Sequence, residues 1–368
     1  VEAPAAVEAP AAAAPSVVLP AVPVPAVEAP AAAGKSKDAP GKEVEKARAP
    51  MGIQEQLEEL RQEVQKMRKE AEARKTLEVT EEEKGKEAED ILSAAGRDYT
   101  LMKKGAFSLE YSFTYAYFSG DIIKNAATVE GRTNHNLTNL IFTEYGLRDN
   151  LTITASLPFV YKYNKVGTDK SQDTTDLGDV SLGVQMQPYK ASAAIPAMIL
   201  SAGLTLPSGS SPYAIPVDQA LSTGSGLYSI NAGVNVSKTI DPLVAFGNLA
   251  YTYSFEEGGL NQNWRDGRKL VKIDPGSSFN FALGFGYALS YKASLNISTQ
   301  ITYGLSSEYH FSTPNSPIFK TGSYVSSTFN IGTGWRVTPA RTVYVRLGIG
   351  LTSADPDFSI SIRMPFDF

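Results

Sequence analysis

The chain of 368 residues contains no cysteine and only two histidines, which excludes several kinds of functional site. Without cysteine there are no disulfide bonds and no metal centres held by thiolates. Two histidines leave little material for a histidine metal site or a Ser-His-Asp triad. The formal charge of -5 also gives no basic surface for nucleic acid. We therefore expect a protein that is not an enzyme, with no catalytic residues, no metal, no cofactor and no nucleic-acid partner.

Aromatic side chains are missing from the first 98 residues, and all 16 Phe, 18 Tyr and 2 Trp occur from Tyr99 onward. A segment without aromatic residues is poorly suited to form a globular core. This asymmetry predicts one aromatic-rich domain behind a long extension. Since the chain starts at Val1 rather than Met, we expect a processed chain whose leader has been removed. No run of 18 apolar residues occurs, so no membrane-spanning helix is expected.

Residues 1–50 form an arm rich in Ala and Pro, in which VEAPAA starts at Val1, Val7 and Val27. Spaced prolines prevent a continuous helix and favour an extended polyproline II path. Such an arm could act as a spacer that reaches a cell-wall or periplasmic partner. A disordered tail without a partner would have the same composition, and the sequence leaves both interpretations open.

Residues 51–78 carry apolar side chains at alternating spacings of four and three, which is a heptad pattern. We predict a parallel coiled coil that joins copies of the chain, as a homotrimer; one amphipathic helix packed on another surface is the alternative. Residues 79–104 are helical in composition but charged nearly all round, as in a solvated helix or one inside a polar cavity. The predicted oligomerisation residues are Ile53, Leu57, Leu60, Val64, Met67 and Ala71.

In residues 105–368 apolar side chains recur at every second position. Only a strand places side chains with this spacing on one face. Twelve such segments are present, and short links alternate with long polar links near 120–133, 164–174, 208–225, 256–275 and 305–321. This pattern predicts an all-β membrane protein, a twelve-stranded antiparallel barrel in outer-membrane lipid with its short turns and N-terminal extension in the periplasm. The last apolar set, which ends at Phe368, is typical of a barrel-assembly signal. A soluble β-sandwich remains the alternative.

Several short motifs support a family resemblance that spans most of the predicted barrel. They are YGLRDNL at 145–151, LGDVSLG at 177–183, GLTLPSG at 203–209, GSG at 224–226, and GLT at 350–352 before PDF at 356–358. The chain resembles the outer-membrane transporter family labelled "putative meta-pathway of phenol degradation". This resemblance implies a barrel that admits small molecules, classically hydrophobic or aromatic ones. The extension departs from the family pattern and resembles the periplasmic coiled coils of some trimeric porins.

The strand alternation also predicts which charged side chains face the lumen. Three arginines on the last three strands outnumber the nearby acids, so they would favour anions if they line an open pore. Alternatively they brace the wall by pairing with acids; Glu110 and Arg363 would meet because the first and last strands of a barrel are neighbours. The predicted pore-lining charges are Glu110, Lys162, Asp179, Arg336, Arg346 and Arg363.

These features lead to one expected function and one alternative. The expected function is a passive outer-membrane channel for small solutes. The alternative is a structural envelope anchor, in which a plugged barrel holds a periplasmic tether. Conductance separates them, because only the channel conducts.

Overall fold

A computed structural model of the chain describes residues 88–89 and 91–368, except for 126–127, 168–169, 190, 193–194, 218–219, 241, 265–266, 291, 313–317 and 339–340. The predicted arm and coiled coil, and residues 79–87 and 90 of the predicted charged connector, lie outside the described residues and stay predictions. Among the described residues, no helix has the length and apolar character needed to cross a membrane.

The described part of the chain is built almost entirely from strands. A short 3-10 helix at Arg97–Tyr99 precedes them. The strands are β1 Phe107–Asn125, β2 Thr128–Arg148, β3 Leu151–Val166, β4 Lys170–Leu177, β5 Val180–Met186, β6 Ala197–Leu206, β7 Ser229–Ile240, β8 Leu243–Ser254, β9 Glu257–Asn263, β10 Lys269–Asp274, β11 Ser278–Ser290, β12 Ala293–Gly304, β13 Glu308–Phe311, β14 Phe319–Lys320, β15 Tyr324–Thr338, β16 Arg341–Gly350 and β17 Phe358–Asp367.

Thirteen of these strands form one antiparallel sheet that closes on itself. The first strand, β1, pairs with both β2 and β17, and β2 pairs in turn with β3, so the ring is complete. The strands β4 and β5 share one position, because both pair with β3 on either side of a break at Gly178 and Asp179. The barrel therefore has twelve strand positions, which confirms the predicted antiparallel twelve-stranded barrel.

The two faces of the barrel wall have opposite chemistry. On β11 the apolar side chains Phe281 and Leu283 are 42% and 55% exposed, whereas Ser108 and Ser112 of β1 are 5% and 4% exposed. A soluble sandwich would bury the apolar face between its two sheets. The closed sheet instead turns that face outward, as a barrel in lipid requires, so the sandwich alternative is wrong.

Several segments that we predicted as loops contain strands. Strand β1 continues to Asn125 and β2 begins at Thr128, so this pair extends into the predicted loop 120–133. Strands β3 and β4 extend in the same way through the predicted loop 164–174. The links at 256–275 and 305–321 contribute β9, β10, β13 and β14 to a second, four-stranded sheet. Leu270 and Ile273 form its core and are 0% and 1% exposed. These strands lack regular apolar alternation because they have no face in lipid, and pairing with a neighbouring strand satisfies the backbone hydrogen-bonding groups of a polar strand as well.

Candidate functional site

The lumen contains a segment of the chain itself, which we call the inner segment and define as residues 91–102. Residues 91–95 are helical and Arg97–Tyr99 form the 3-10 helix. Ile91 and Tyr99 are only 3% and 9% exposed, although they precede the first strand. The Tyr99 ring packs against the inward-facing Phe246 of β8, with ring centroids 5.1 Å apart. Part of the predicted charged connector therefore lies within the barrel.

The inner segment crosses the lumen in the half nearer the short turns. The amide of Met102 donates a hydrogen bond to Oγ1 of Thr152 at the start of β3, over 3.1 Å. Gln185, one residue from the end of β5, donates from Nε2 to Oδ1 of Asp98 over 3.0 Å. Eight of the twelve strand positions of the wall each contribute one residue that contacts the inner segment. These wall residues are Glu110, Phe142, Thr152, Gln185, Phe246, Gly286, Arg346 and Arg363.

Two arginines of the wall bind the last turn of the helical part. The guanidinium of Arg363 donates from Nη2 to the carbonyl of Ser93 over 2.5 Å. The guanidinium of Arg346 donates from Nη2 to the carbonyl of Ala95 and, over 3.4 Å, to that of Ala94. The last carbonyls of a helix lack intrahelical partners and carry partial negative charge. Both arginines therefore stabilise the helix end and fix it to the wall.

A buried ion cluster holds the next turn of the inner segment. Arg97 donates from Nε to Oε1 of Glu110 over 2.7 Å, and its Nη2 contacts the same oxygen. Arg363 lies 3.6 Å from the other carboxylate oxygen of Glu110. The Arg97 guanidinium also stacks over the ring of Phe142, 4.4 Å from its centroid. Glu110 thus bridges an arginine of the inner segment and an arginine of the last strand.

Asp98 lies in the same cluster, and its environment gives a pH dependence. Burial raises the pKa of the Asp98 carboxyl above its ordinary 3.8, and this effect exceeds the opposing charges of Arg97, Arg363 and Arg346. Burial also raises the pKa of the Tyr99 hydroxyl, which stays protonated. A raised carboxyl pKa means that docking is strongest with Asp98 protonated and weakens as pH rises through that pKa.

We expect Asp98→Asn to hold the inner segment more tightly than the wild type at any pH at which Asp98 is ionised, because asparagine keeps the bond from Gln185 without a buried charge. Lowering the pH until Asp98 becomes protonated should lower the single-channel conductance of the wild type but leave that of Asp98→Asn almost constant. The matched control is Asp173→Asn, which removes an exposed carboxylate of β4. A wild-type conductance that rises on acidification would contradict this assignment.

A cavity of about 500 Å³ remains between the inner segment and the wall at the short-turn end. Its lining contains four basic and three acidic residues, together with the aromatic rings of Phe142 and Tyr344. Arg336, one of the predicted pore residues, lies here. The charged lining residues are Arg97, Lys103, Arg336, Arg363, Glu89, Glu110 and Glu144.

The other two predicted pore charges bind a long connection rather than the inner segment. Asp179 accepts hydrogen bonds from the amide of Gly209 over 3.1 Å and from the amide and hydroxyl of Ser225 over 2.6 and 2.7 Å. Lys162 donates from Nζ to the carbonyl of Ser222 over 2.6 Å. The family-like motifs at 177–183, 203–209 and 224–226 therefore meet here, where they fasten the connection between β6 and β7 to the wall.

The sequence analysis missed the residues that dock the inner segment. Arg97, Asp98 and Tyr99 follow a charged stretch, and Tyr99 is the first aromatic residue of the chain. That single aromatic residue, next to an opposite-charge pair, was the available signal for a buried position. The predicted oligomerisation set from Ile53 to Ala71 lies outside the described residues.

Comparison with known proteins gives one family match and several structural matches. The family model described as "Putative MetA-pathway of phenol degradation" matches residues 120–366. The structure is similar to the COG4313 outer membrane channel from Pseudomonas putida F1, with a TM-score of 0.56 and 17% identity over 74% of this chain and 98% of that chain. The structure is also similar to the translocator domain of autotransporter NalP from Neisseria meningitidis, with a TM-score of 0.43 and 12% identity over 80% of this chain and 97% of that chain.

Proposed function

This chain belongs to the family described as "Putative MetA-pathway of phenol degradation", and from that membership we propose that it is a passive outer-membrane channel for small solutes. The solutes would be hydrophobic or aromatic, in keeping with the family description. The proposed orientation places the short turns and the N-terminal extension in the periplasm.

The cavity beside the inner segment is the observation that carries this proposal. Its volume of about 500 Å³ lies within the range of sites for small organic molecules. The contacts on either side of it are side-chain ion pairs and hydrogen bonds, which separate without breaking the barrel. In this proposal the inner segment narrows the route, and a small solute leaves through the cavity when the segment shifts.

The charges around the cavity support a preference for anions among ionic solutes. Arg336 and Arg363 lie beside it, and four basic lining residues face three acidic ones. In a narrow passage such an excess changes the local concentration of counter-ions. Selectivity by Arg336, Arg346 and Arg363 is therefore part of the proposal, although Arg346 and Arg363 also hold the inner segment.

The assembly remains a separate proposal. We propose a homotrimer joined by the heptad stretch, with the Ala/Pro arm directed toward a cell-wall or periplasmic partner. Both segments lie outside the described residues, and the support is the heptad spacing and the proline repeats alone.

A plugged structural anchor is the second candidate, and one observation favours it. The inner segment contacts eight strand positions and buries charged side chains, so many interactions hold it inside the lumen. An anchor would need this closed form and no other. A channel would use the same contacts reversibly.

Single-channel recording of the purified protein in a planar bilayer tests the channel proposal. We expect discrete conductance steps in the wild type, because ions pass while the inner segment is shifted from the wall and not while it is docked. A salt gradient should give a reversal potential on the anion-selective side. Complete absence of conductance, in protein that remains folded and inserted, would favour the anchor.

A further inference from the structure

A groove lies at the long-loop end of the barrel, between β9 of the second sheet and the connection between β6 and β7. Its volume is about 610 Å³, within the range of small-molecule sites. Ile215, Val217 and Trp264 give it apolar walls. The other described residues that line it are Tyr213, Ala214, Pro216, Asn261, Gln262 and Asn263, and none of the described lining residues is charged.

Gln262 fixes the width of this groove by tying its two walls together. Its side chain, only 8% exposed, donates from Nε2 to the carbonyls of Pro212 and Ile215 over 2.6 and 2.7 Å. Its Oε1 accepts a hydrogen bond from Nε1 of Trp264 over 3.3 Å. A buried amide with partners on both walls holds the groove open in one geometry, as a preformed site requires.

Trp264 is held in place on its other side by an aromatic cluster. Its ring meets Phe311 edge-on, with centroids 4.9 Å apart and planes at 80°, and lies 5.8 Å from Tyr309. The guanidinium of Arg268 lies over the Phe311 ring, 4.3 Å from its centroid. A half-buried tryptophan that is fixed by its neighbours and lines an open groove offers a rigid apolar surface to a ligand.

The polar groups of the groove are neutral donors and acceptors at its rim. Asn261 and Asn263 both line the groove and are exposed, so their amides have capacity for a ligand. Burial, followed by the neighbouring Tyr309, raises the pKa of Tyr213, whose hydroxyl therefore stays protonated. A rigid aromatic wall with uncharged amide and hydroxyl groups matches a ring that has an apolar face and a hydroxylated edge.

We propose that this groove between Tyr213 and Trp264 binds a neutral sugar ring. The apolar C–H face of the sugar would stack on Trp264, and its hydroxyls would bond the amides of Asn261 and Asn263. An anionic or cationic solute would find no counter-charge among the described lining residues. The site lies apart from the inner segment, and the inference does not depend on conduction.

Tryptophan fluorescence in detergent solution tests the proposal with glucose as the probe. The background is Trp335→Phe, because Trp335 is on the outer face of β15 and its removal leaves Trp264 as the reporter. We expect glucose to change the Trp264 emission saturably, and sorbitol, which has the hydroxyls without the ring, to leave it unchanged. The pair Asn261→Ala and Asn263→Ala should weaken glucose binding at least about tenfold.

The matched control is Asn150→Ala, which removes an exposed amide from a short turn at the opposite end of the barrel and should leave binding unchanged. Circular dichroism of each variant checks that the barrel stays folded. Absence of a saturable response to glucose would overturn the site. A response to phenol but not to glucose would overturn the ligand class. Neither result depends on the conductance measured for the channel proposal.

Discussion

Replacing Arg346 and Arg363 together by Gln should release the inner segment and raise the single-channel conductance by at least about tenfold. Both guanidinium groups donate to carbonyls at the end of helical residues 91–95, and Arg363 also lies 3.6 Å from Glu110. A hydrogen bond that involves a charged group contributes about 1.5–3 kcal/mol. Losing two of them, with the ion pair, shifts the segment strongly toward its displaced state.

Arg336→Gln is the control that separates docking from selectivity. Arg336 lines the cavity beside the inner segment, so its replacement removes one positive charge from the route. We expect this variant to shift the reversal potential toward cations, most strongly at low salt, without the large rise in conductance. If Arg336→Gln raises the conductance as much as the double variant, the effect comes from charge in the route, and the docking role is wrong.

The sequence was sufficient to predict the barrel because lipid imposes a simple rule on every strand. The alternation along β1 from Phe107 to Tyr117 follows from one face in lipid and one in the lumen. The same parity places Arg346 and Arg363 inside, where the structure has them. The proximity of Glu110 to Arg363 follows from barrel closure, because closure pairs β1 with β17.

The inner segment could not be predicted in the same way. Its carbonyl partners depend on where residues 91–95 end relative to β16 and β17, and no periodicity encodes that distance. Composition allowed either a solvated helix or one in a polar cavity, because the surroundings of Ile91 and Tyr99 are set by strands far along the chain. The polar strands β9 and β13 were missed because they lie outside the predicted membrane span and need no apolar alternation.

A disulfide between residues 91 and 286 should lock the inner segment and abolish conductance. Gly286 of β11 faces the lumen, and a side chain there would overlap Cγ2 of Ile91. A Cβ at position 286 would lie 3.6 Å from Cβ of Ile91, within the spacing of about 3.5–4.5 Å that disulfides require. The double variant Ile91→Cys with Gly286→Cys replaces the overlapping methyl by a bridge, and the chain has no competing cysteine.

The measurement compares conductance before and after oxidation, with mobility on a denaturing gel to show that the bridge has formed. Oxidation should reduce conductance to the level of the bare membrane, and a reductant should restore it. Ile91→Cys alone cannot form the intramolecular bridge and should respond to neither reagent. Adding the lock to Arg346→Gln and Arg363→Gln should also suppress the higher conductance of that pair, because a covalent bond replaces the lost contacts. If the fully bridged protein still conducts like the wild type, solutes pass with the segment in place, and the cavity beside it is the whole route.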